Sequence, residues 1–110
     1  MYYKILISKK WVPRGFVGLT IYPFIIFKKA ASLDDVKLLT HEKIHIRQQL
    51  ELLLVFFYLW YLLEFVIKFV WLRDKQLAYR AISFEREAYV HEGDRDYLKT
   101  RSFAAFIKYI

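Results

Sequence analysis

An uninterrupted apolar run in the second half of the chain limits the possible folds more than any other feature. Residues 52–72 contain neither Gly nor Pro, and Glu64 and Lys68 are the only charged residues among these 21. A run of this length can cross a bilayer as a helix. Glu64 and Lys68, however, form an i, i+4 pair in the favourable order, which is typical of a solvated helix edge. We therefore predict a pair of buried core helices, with a membrane-spanning helix as the alternative.

The residues just before this run carry a metal-binding pattern. His41, Glu42 and His45 form the sequence H-E-x-x-H in a segment of helical character. Two histidines four residues apart share one helix face, so both rings can place a nitrogen about 2.0–2.1 Å from one zinc ion. Glu42 lies where it can take a proton from water at that ion. Such a match arises by chance in on the order of one chain in a few hundred of this length, so a third ligand is required.

Glu85 is the best candidate for the third ligand. The chain has no cysteine, so a metal site must use His, Asp or Glu. Glu85 opens a later predicted helix, and its carboxylate can meet His41 and His45 if the two helices cross. Glu87 points about 200° away around that axis and either supports a ligand or faces solvent. The alternative is that both acids are ordinary first-turn residues that interact with the helix dipole.

The distance between the two parts of this site predicts a reversal of the chain. A straight helix from Ile46 to Leu72 would extend about 40 Å, and residues 73–84 could return over that distance only if fully extended. If Glu85 binds the metal, the apolar run must therefore fold back, and we place the reversal at the weak helix formers 55–58. A true transmembrane span would separate Glu85 from the histidines and exclude the site.

The first thirty residues favour strands. Tyr3, Ile5 and Ile7 alternate with other residues, and the run 16–28 is rich in branched and aromatic side chains. Pro23 lies within that run and favours an edge position, because proline cannot donate to a ladder. We predict an antiparallel meander of two to four short strands.

The remaining segments complete an α+β prediction. The helix that carries the histidines should begin at Ser32, which is a good N-cap. Residues 73–82 read as a polar connection, Ser83 as the cap of the helix that carries Glu85, and residues 103–110 as a short helix on the sheet. No repeat or linker interrupts this order. The prediction is one domain over residues 1–110, with the meander packed on the active-site helix and on the following glutamate helix.

Charge and termini indicate a cytoplasmic protein that binds no nucleic acid. The formal net charge is +7, but the basic residues are spread along the chain without a stripe or an arginine-rich tract. We read them as a solvated basic surface. The N-terminal apolar segment is too short for a signal peptide, and Lys9 and Lys10 interrupt it. Association with a membrane surface is an additional expectation from the apolar run.

The pattern resembles that of the gluzincin zinc metallopeptidases. His41-Glu42-x-x-His45, followed by Glu85-x-x-Ala88 on a later helix, is similar to their active-site and glutamate helices. The small size and the N-terminal strands most resemble the minigluzincins. The resemblance implies that His41, His45 and Glu85 bind Zn²⁺ and that Glu42 acts as general base and acid. It also implies an edge strand that pairs with an extended peptide substrate, formed here by Gly18, Leu19, Thr20, Ile21 and Tyr22.

The resemblance leaves the supporting residues open. Many gluzincins have an aspartate directly after the alanine, where this chain has Tyr89. Support for the histidine ligands must then come from elsewhere. The candidates for that support are Gln48, Glu87 and Asp94. The family also implies a residue that stabilises the oxyanion, for which the candidates are Tyr89, His91 and Tyr97.

Two hypotheses follow from different classes of protein. The first is a small zinc-dependent peptidase, active or latent, in which Glu42 deprotonates a metal-activated water that attacks a peptide carbonyl. The second is a non-catalytic binding or membrane-surface module that retains the metal for stability. The apolar segment and the small size motivate the second, because little chain remains to build a specificity cleft. A weaker third reading is an integral membrane protein with a fortuitous motif.

Overall fold

Three short strands near the N-terminus form one mixed sheet in the computed structural model, which describes residues 2–110. They are β1 (Lys4–Ile7), β2 (Gly18–Ile21) and β3 (Phe24–Phe27). The order is β1-β3-β2, with β1 parallel and β2 antiparallel to β3. The α+β class is confirmed, but the predicted antiparallel meander is wrong for β1. Residues 8–23, which include β2, form a connection long enough to allow parallel pairing of β1 and β3.

A two-residue turn at Tyr22-Pro23 divides the second apolar run into two strands. Pro23 therefore lies in a turn and not within a strand, so its missing N–H leaves the ladder intact. β2 occupies an edge of the sheet and β3 the centre. Ile25 and Phe27 of β3 are fully buried against Ile46 of the first helix. This contact places the sheet beside the helix that carries the two histidines.

The first helix, α1 (Val36–Glu51), begins later than predicted. A 3-10 turn over Ala30–Asp34 precedes it and contains Ser32. The N-cap is Asp35, whose side chain accepts the N–H of Leu38 at 3.0 Å. Both residues are good caps, and Asp35 forms the bond that begins the helix.

The apolar run folds back, but at Leu52–Leu54 and not at residues 55–58. Leu53 and Leu54 have φ of 56° and 63°, positive values that are rare in residues other than glycine. The second helix, α2 (Val55–Leu72), starts directly after them. Local propensity did not mark this point, because leucine is a good helix former.

Residues 73–82 form a helix and not a simple connection. α3 (Lys75–Ala81) is capped by Asp74, which accepts the N–H of Leu77 at 3.0 Å. α3 packs against α2 and leads directly into α4 (Ser83–His91). The helix α4 carries the Glu85 side chain.

The C-terminal segment packs on α4 and not on the sheet. It contains α5 (Tyr97–Thr100) and a 3-10 turn over Ala105–Tyr109. Phe106 of that turn packs in the same core as Phe84 of α4, together with Phe57 and Ile82. The prediction of a closing helix on the sheet is therefore wrong in its position.

Glu64 is buried and not at a solvated helix edge. Its carboxylate accepts the backbone N–H of Ser83 at 2.9 Å, the Ser83 hydroxyl and the Nε1–H of Trp60 at 2.8 Å. Ser83 is thus the first residue of α4 and the partner of Glu64, and the N-cap position falls to Ile82. Most of α2 is exposed, so the prediction of a buried core helix pair is wrong.

Candidate metal centre

Helices α1 and α4 bring three candidate ligand atoms together. The Nε2 atoms of His41 and His45 lie 3.1 Å apart, and each lies 3.1 Å from Oε1 of Glu85. All three residues are buried. The histidines are one turn apart on α1, and Glu85 lies in the first turn of α4. The predicted ligands therefore meet at one point, where residues 2–110 provide a group able to hold a metal ion.

The spacing of these atoms fits a tetrahedral zinc ion. Bonds of about 2.0–2.1 Å at the tetrahedral angle separate neighbouring ligand atoms by about 3.3 Å. The three observed separations of 3.1 Å are close to that value. Two histidines and one glutamate are a ligand set that catalytic zinc uses, with the fourth position left for water or substrate.

A chain of hydrogen bonds determines which nitrogen of His45 faces the cluster. The Gln48 amide donates to the Phe84 carbonyl at 3.1 Å and to the Glu87 carboxylate at 3.0 Å. Its amide oxygen therefore faces Nδ1 of His45, 2.8 Å away. Because that oxygen only accepts, Nδ1 carries a proton and Nε2 is the nitrogen that faces the cluster, with a lone pair for a metal once the ring is neutral.

Glu92 has the same relation to His41. One of its oxygens lies 3.1 Å from Nδ1 of His41, so that nitrogen donates and Nε2 faces the other ligands. Sequence reasoning missed Glu92. Its spacing of seven residues from Glu85 is a usable signal, because two helical turns return to nearly the same face.

Burial makes the charges in this cluster interact strongly. Burial alone would lower the pKa of His45, but the Glu85 carboxylate outweighs it and raises that pKa to about 9. Conversely, burial would raise the pKa of Glu85, and the two histidines hold it well below its usual range. The second Glu85 oxygen accepts from the Tyr61 hydroxyl at 2.8 Å. Sequence reasoning also missed Tyr61, which lies within the apolar run and carries no motif.

Glu42 lies beside the ligand cluster, facing the sheet. Its Oε1 accepts a hydrogen bond of 2.7 Å from the Thr20 hydroxyl of β2. Glu42, Thr20, His45 and Glu85 all line one cavity of about 220 Å³. A carboxylate in this position can exchange a proton with water in the cavity, which is the role predicted for it.

The free edge of β2 is partly engaged by side chains. The Gln49 amide donates to the Thr20 carbonyl at 2.8 Å and accepts from the Tyr22 N–H at 2.7 Å. The Tyr58 hydroxyl donates to the same Thr20 carbonyl at 2.7 Å. The strand predicted over residues 18–22 ends at Ile21. Side chains already occupy part of its free edge.

Gly18 presents the other outward-facing backbone groups of β2. The N–H of Lys28 donates to the Val17 carbonyl, so Val17 faces the neighbouring strand. Successive residues of a strand point their backbone groups to opposite sides, so Gly18 and Thr20 face the free edge. An added strand would therefore pair around Gly18.

An apolar groove of about 620 Å³ adjoins the cavity at the ligand cluster. The residues that line both spaces are Phe16, Tyr58, Tyr61 and Tyr79. The groove continues past Leu62 and Phe65 of α2 and is also lined by Arg14 and Lys75. Its walls are mainly aromatic and aliphatic, as expected of a site that takes an apolar group.

Two of the predicted oxyanion candidates lie elsewhere. The Tyr97 hydroxyl donates to the Glu87 carboxylate at 2.7 Å. The His91 ring stacks on Tyr97 with ring centres 3.7 Å apart, and its Nε2 lies 2.7 Å from the Tyr109 hydroxyl. Neither residue is among those that line the cavity at the ligand cluster in the described chain.

The third candidate, Tyr89, is close to a ligand but outside the cavity lining. Its ring packs against His41 at 4.6 Å between centroids, and its hydroxyl lies 3.3 Å from that of Tyr79. Tyr58, Tyr61 and Tyr79 are the tyrosines that line the cavity together with Glu85, and Tyr89 lines a neighbouring cavity with His41 and Glu42. By their position, Tyr61 and Tyr79 are alternatives to Tyr89 as the residue that would stabilise the oxyanion.

The three residues predicted to support the ligands have different surroundings. Gln48 contacts His45 directly, and Glu87 contacts Gln48. Asp94 is exposed and accepts from the backbone of Asp96, so the structure does not bring it to the ligands.

Arg101, absent from our predictions, anchors this support. Its buried guanidinium donates to both oxygens of Glu87 and, at 2.6 Å, to Glu51 of α1. These bonds hold the pKa of Glu87 below its usual range, against the effect of burial. The charge on Arg101 thus keeps Glu87 an acceptor, which orients Gln48 and through it His45.

Comparison of the chain with protein-family models, curated proteins and solved structures finds no match.

Proposed function

We propose that this protein is a small zinc-dependent metallopeptidase with a zincin-like arrangement of its active-site and glutamate helices. The observation that carries the proposal is the meeting of three ligand atoms at 3.1 Å, with Glu42 beside them in a shared cavity. His41, His45 and Glu85 would hold the ion. Bound zinc would polarise a carbonyl and lower the pKa of a water to about 7.

The protein's own groups have defined roles in this proposal. Glu42 accepts the proton of the attacking water and later returns it to the leaving amine. The Thr20 hydroxyl holds the Glu42 carboxylate in place by its 2.7 Å hydrogen bond. Gln48 and Glu92 keep the histidine lone pairs directed at the ion, and Tyr61 does the same for Glu85.

The substrate would be an extended peptide with a large apolar side chain. It would pair with β2 around Gly18, where the backbone groups face the free edge of the sheet. The aromatic groove would take the apolar side chain, because Phe16, Tyr61 and Tyr79 line both the groove and the cavity that holds Glu42.

Metal content and hydrolysis test the proposal together. The purified protein should contain about one zinc per chain and cleave apolar peptides from a mixed library. Glu42→Gln should keep the zinc and lose cleavage by about a hundredfold or more, because only the proton transfer is removed. Glu85→Ala should lose both zinc and cleavage. Asp94→Asn, at an exposed acid away from the cluster, is the matched control and should change neither.

Two results would contradict the proposal. Equal zinc affinity in the wild type and in Glu85→Ala would remove Glu85 as a ligand. Zinc-loaded protein that cleaves no peptide of the library would favour a second function.

That second function is a non-catalytic metal-containing module, and the Gln49 contacts favour it. Gln49 and Tyr58 occupy backbone groups of β2 that an added strand would use. If these contacts close the site, Gln49→Ala should start or increase cleavage. If the protein is a peptidase already, the same change should leave the rate within about fivefold, since the edge contacts that it removes contribute about 1 kcal/mol in net.

A further inference from the structure

Helix α2 has its polarity reversed relative to a helix of a water-soluble domain. The residues that face the protein recur every three or four positions and include both charges of the helix. They are Phe57, Trp60, Tyr61, Glu64, Phe65 and Lys68. The exposed residues within Val55–Leu72 are apolar or aromatic without exception. They include Leu59, Leu62, Leu63, Val66, Ile67, Val70 and Trp71, which we call the outer face of α2.

This reversal is the pattern expected next to lipid. In water, the exposed side of a helix is polar and its apolar side is covered. In a hydrocarbon environment, apolar residues face outward and the few charged residues face the protein interior. Glu64 follows the second rule, because its carboxylate is buried and bonded to Ser83 and Trp60.

The position of α2 favours a helix that lies along a membrane surface. α2 is long and apolar enough to span a bilayer, with a mean hydropathy of 1.8. However, α3 packs against it and exposes Lys75, Gln76 and Arg80 to solvent. A spanning orientation would carry such groups into the hydrocarbon layer, whereas an in-plane helix buries its apolar face and leaves them in water.

The charge distribution favours an anionic surface. Basic residues follow the C-terminal end of α2 and line the groove, namely Arg73, Lys75 and Arg14, with Asp74 as the one acid between them. The exposed or half-exposed acids at the far end of α4 and the start of α1 are Asp34, Asp35, Glu92, Asp94 and Asp96, of which Glu92 and Asp96 pair with Lys37 and Lys99. Helix α2 contacts the N-terminal end of α4, because Glu64 bonds Ser83 there. The acids at the C-terminal end of α4 therefore lie farther from α2.

We propose that the outer face of α2 docks on an anionic phospholipid bilayer. The helix lies in the interface, with its leucine and valine side chains in the acyl region and the basic residues at the headgroups. Insertion of apolar side chains and attraction between basic residues and anionic headgroups together give stable binding, where either alone is weak. The groove beside the metal cluster includes Leu62 of the outer face, so its mouth would lie at the membrane. This last consequence rests on the proposed function, and the docking itself does not.

Flotation with vesicles tests the docking without any measurement of hydrolysis. Wild-type protein, purified in mild detergent, is mixed with vesicles of phosphatidylcholine alone or with phosphatidylglycerol, and the detergent is removed. We expect flotation with the anionic vesicles, and several-fold less with the neutral ones or in high salt. Leu63→Glu/Val70→Glu should reduce the partition coefficient by about tenfold or more, because it places two charges on the outer face.

The matched control is Leu33→Glu/Val90→Glu. It makes the same change of charge at apolar residues of similar exposure, 46% and 65% against 61% and 67%, in the region of the acids at the far end of α4 and the start of α1. It should lower the partition coefficient by no more than about twofold to threefold through charge alone. Circular dichroism checks that both variants are folded.

Two exposed tryptophans provide a second measurement. Trp71, on the outer face, is 83% exposed, and Trp11, in the loop after β1, is 65% exposed. Bromine-labelled lipids should quench the fluorescence of the wild type and of Trp11→Phe. Most of that quenching should be lost in Trp71→Phe.

Three outcomes would overturn the proposal. The first is equal flotation of the outer-face variant and its control. The second is quenching that depends on Trp11 and not on Trp71. The third is wild-type protein that does not float with anionic vesicles. This outcome counts against the proposal if the protein is a monomer, and equally if it is a dimer that the double substitution Leu63→Glu/Val70→Glu dissociates. A dimer of that kind would show that a second copy covers α2.

Discussion

The side of this protein that carries the ligand cluster buries polar side chains, whereas the α2 side exposes apolar ones. Around the cluster, charged and polar side chains are buried, and nearly every one has a named partner in the described chain. On the outer face of α2, large apolar side chains are exposed to solvent. A buried polar group is tolerated only when it is hydrogen-bonded. An exposed apolar face of this size is typical of a site that contacts another protein or a membrane. The polar groups of the first region are thus satisfied within the chain, whereas the second region is where we expect an external contact.

The largest effect that tests this comparison is expected at Arg101. Arg101→Met removes the charge that compensates Glu87 and Glu51 in a buried network. We expect a loss of about 3–5 kcal/mol in the free energy of unfolding, because uncompensated buried charges remain. Urea denaturation measures it.

Arg95→Met, at an exposed position, is the control for Arg101→Met and should change the unfolding free energy by less than about 0.5 kcal/mol. Adding Glu87→Gln to Arg101→Met should recover part of the loss. An Arg101 variant as stable as its control would mean that the network does not hold the cluster side together.

A smaller effect is expected at Gln48. Gln48→Met has a similar size but cannot orient the Nδ1–H of His45 or bond Glu87. Zinc affinity should fall by about 10-fold to 100-fold, as is usual when a partner of a ligating histidine is lost. Competition with a metal chelator measures this affinity. Gln76→Met, at an exposed glutamine of α3, should leave it unchanged, and equal affinities in the two variants would argue against the orienting role.

The smallest effect on stability is expected on the outer face of α2. Leu63→Gln should change the unfolding free energy in detergent-free buffer by no more than about 0.5 kcal/mol, because the side chain is exposed in the folded protein. Phe57→Ala, on the inner side of the same helix, should cost about 3–5 kcal/mol. A large loss for Leu63→Gln would show that the outer face is buried in the isolated protein.

Local spacing explains what could be predicted about the site. The positions of His41 and His45 on one face follow from the period of the helix alone, and so does the placement of Glu42 between them. Glu85 could be selected as a third ligand because few residue types can bind a metal. Tyr61, Glu92 and Arg101 could not be selected, because each acts through a contact with a residue far away in the chain.

The errors in the fold have a similar cause. The period of β1 reveals which residues alternate, but not whether the neighbouring strand runs parallel or antiparallel. The reversal at Leu53 and Leu54 has no glycine to mark it. Glu64 and Lys68 had the spacing of a solvated pair, and only the contacts of Glu64 with Ser83 and Trp60 show that this carboxylate faces inward.

The sequence by itself determined the helix that carries the HExxH residues, the strand-forming N-terminus and an apolar segment that must fold back if the ligands are to meet. These follow from side-chain chemistry and from periods of two or 3.6 residues, which act over short stretches of chain. The tertiary structure decided how α1 and α4 meet, which hydrogen bonds direct the histidine nitrogens, and which side of α2 faces outward. Those features depend on contacts between residues that are distant in the chain, and local patterns carry no record of them.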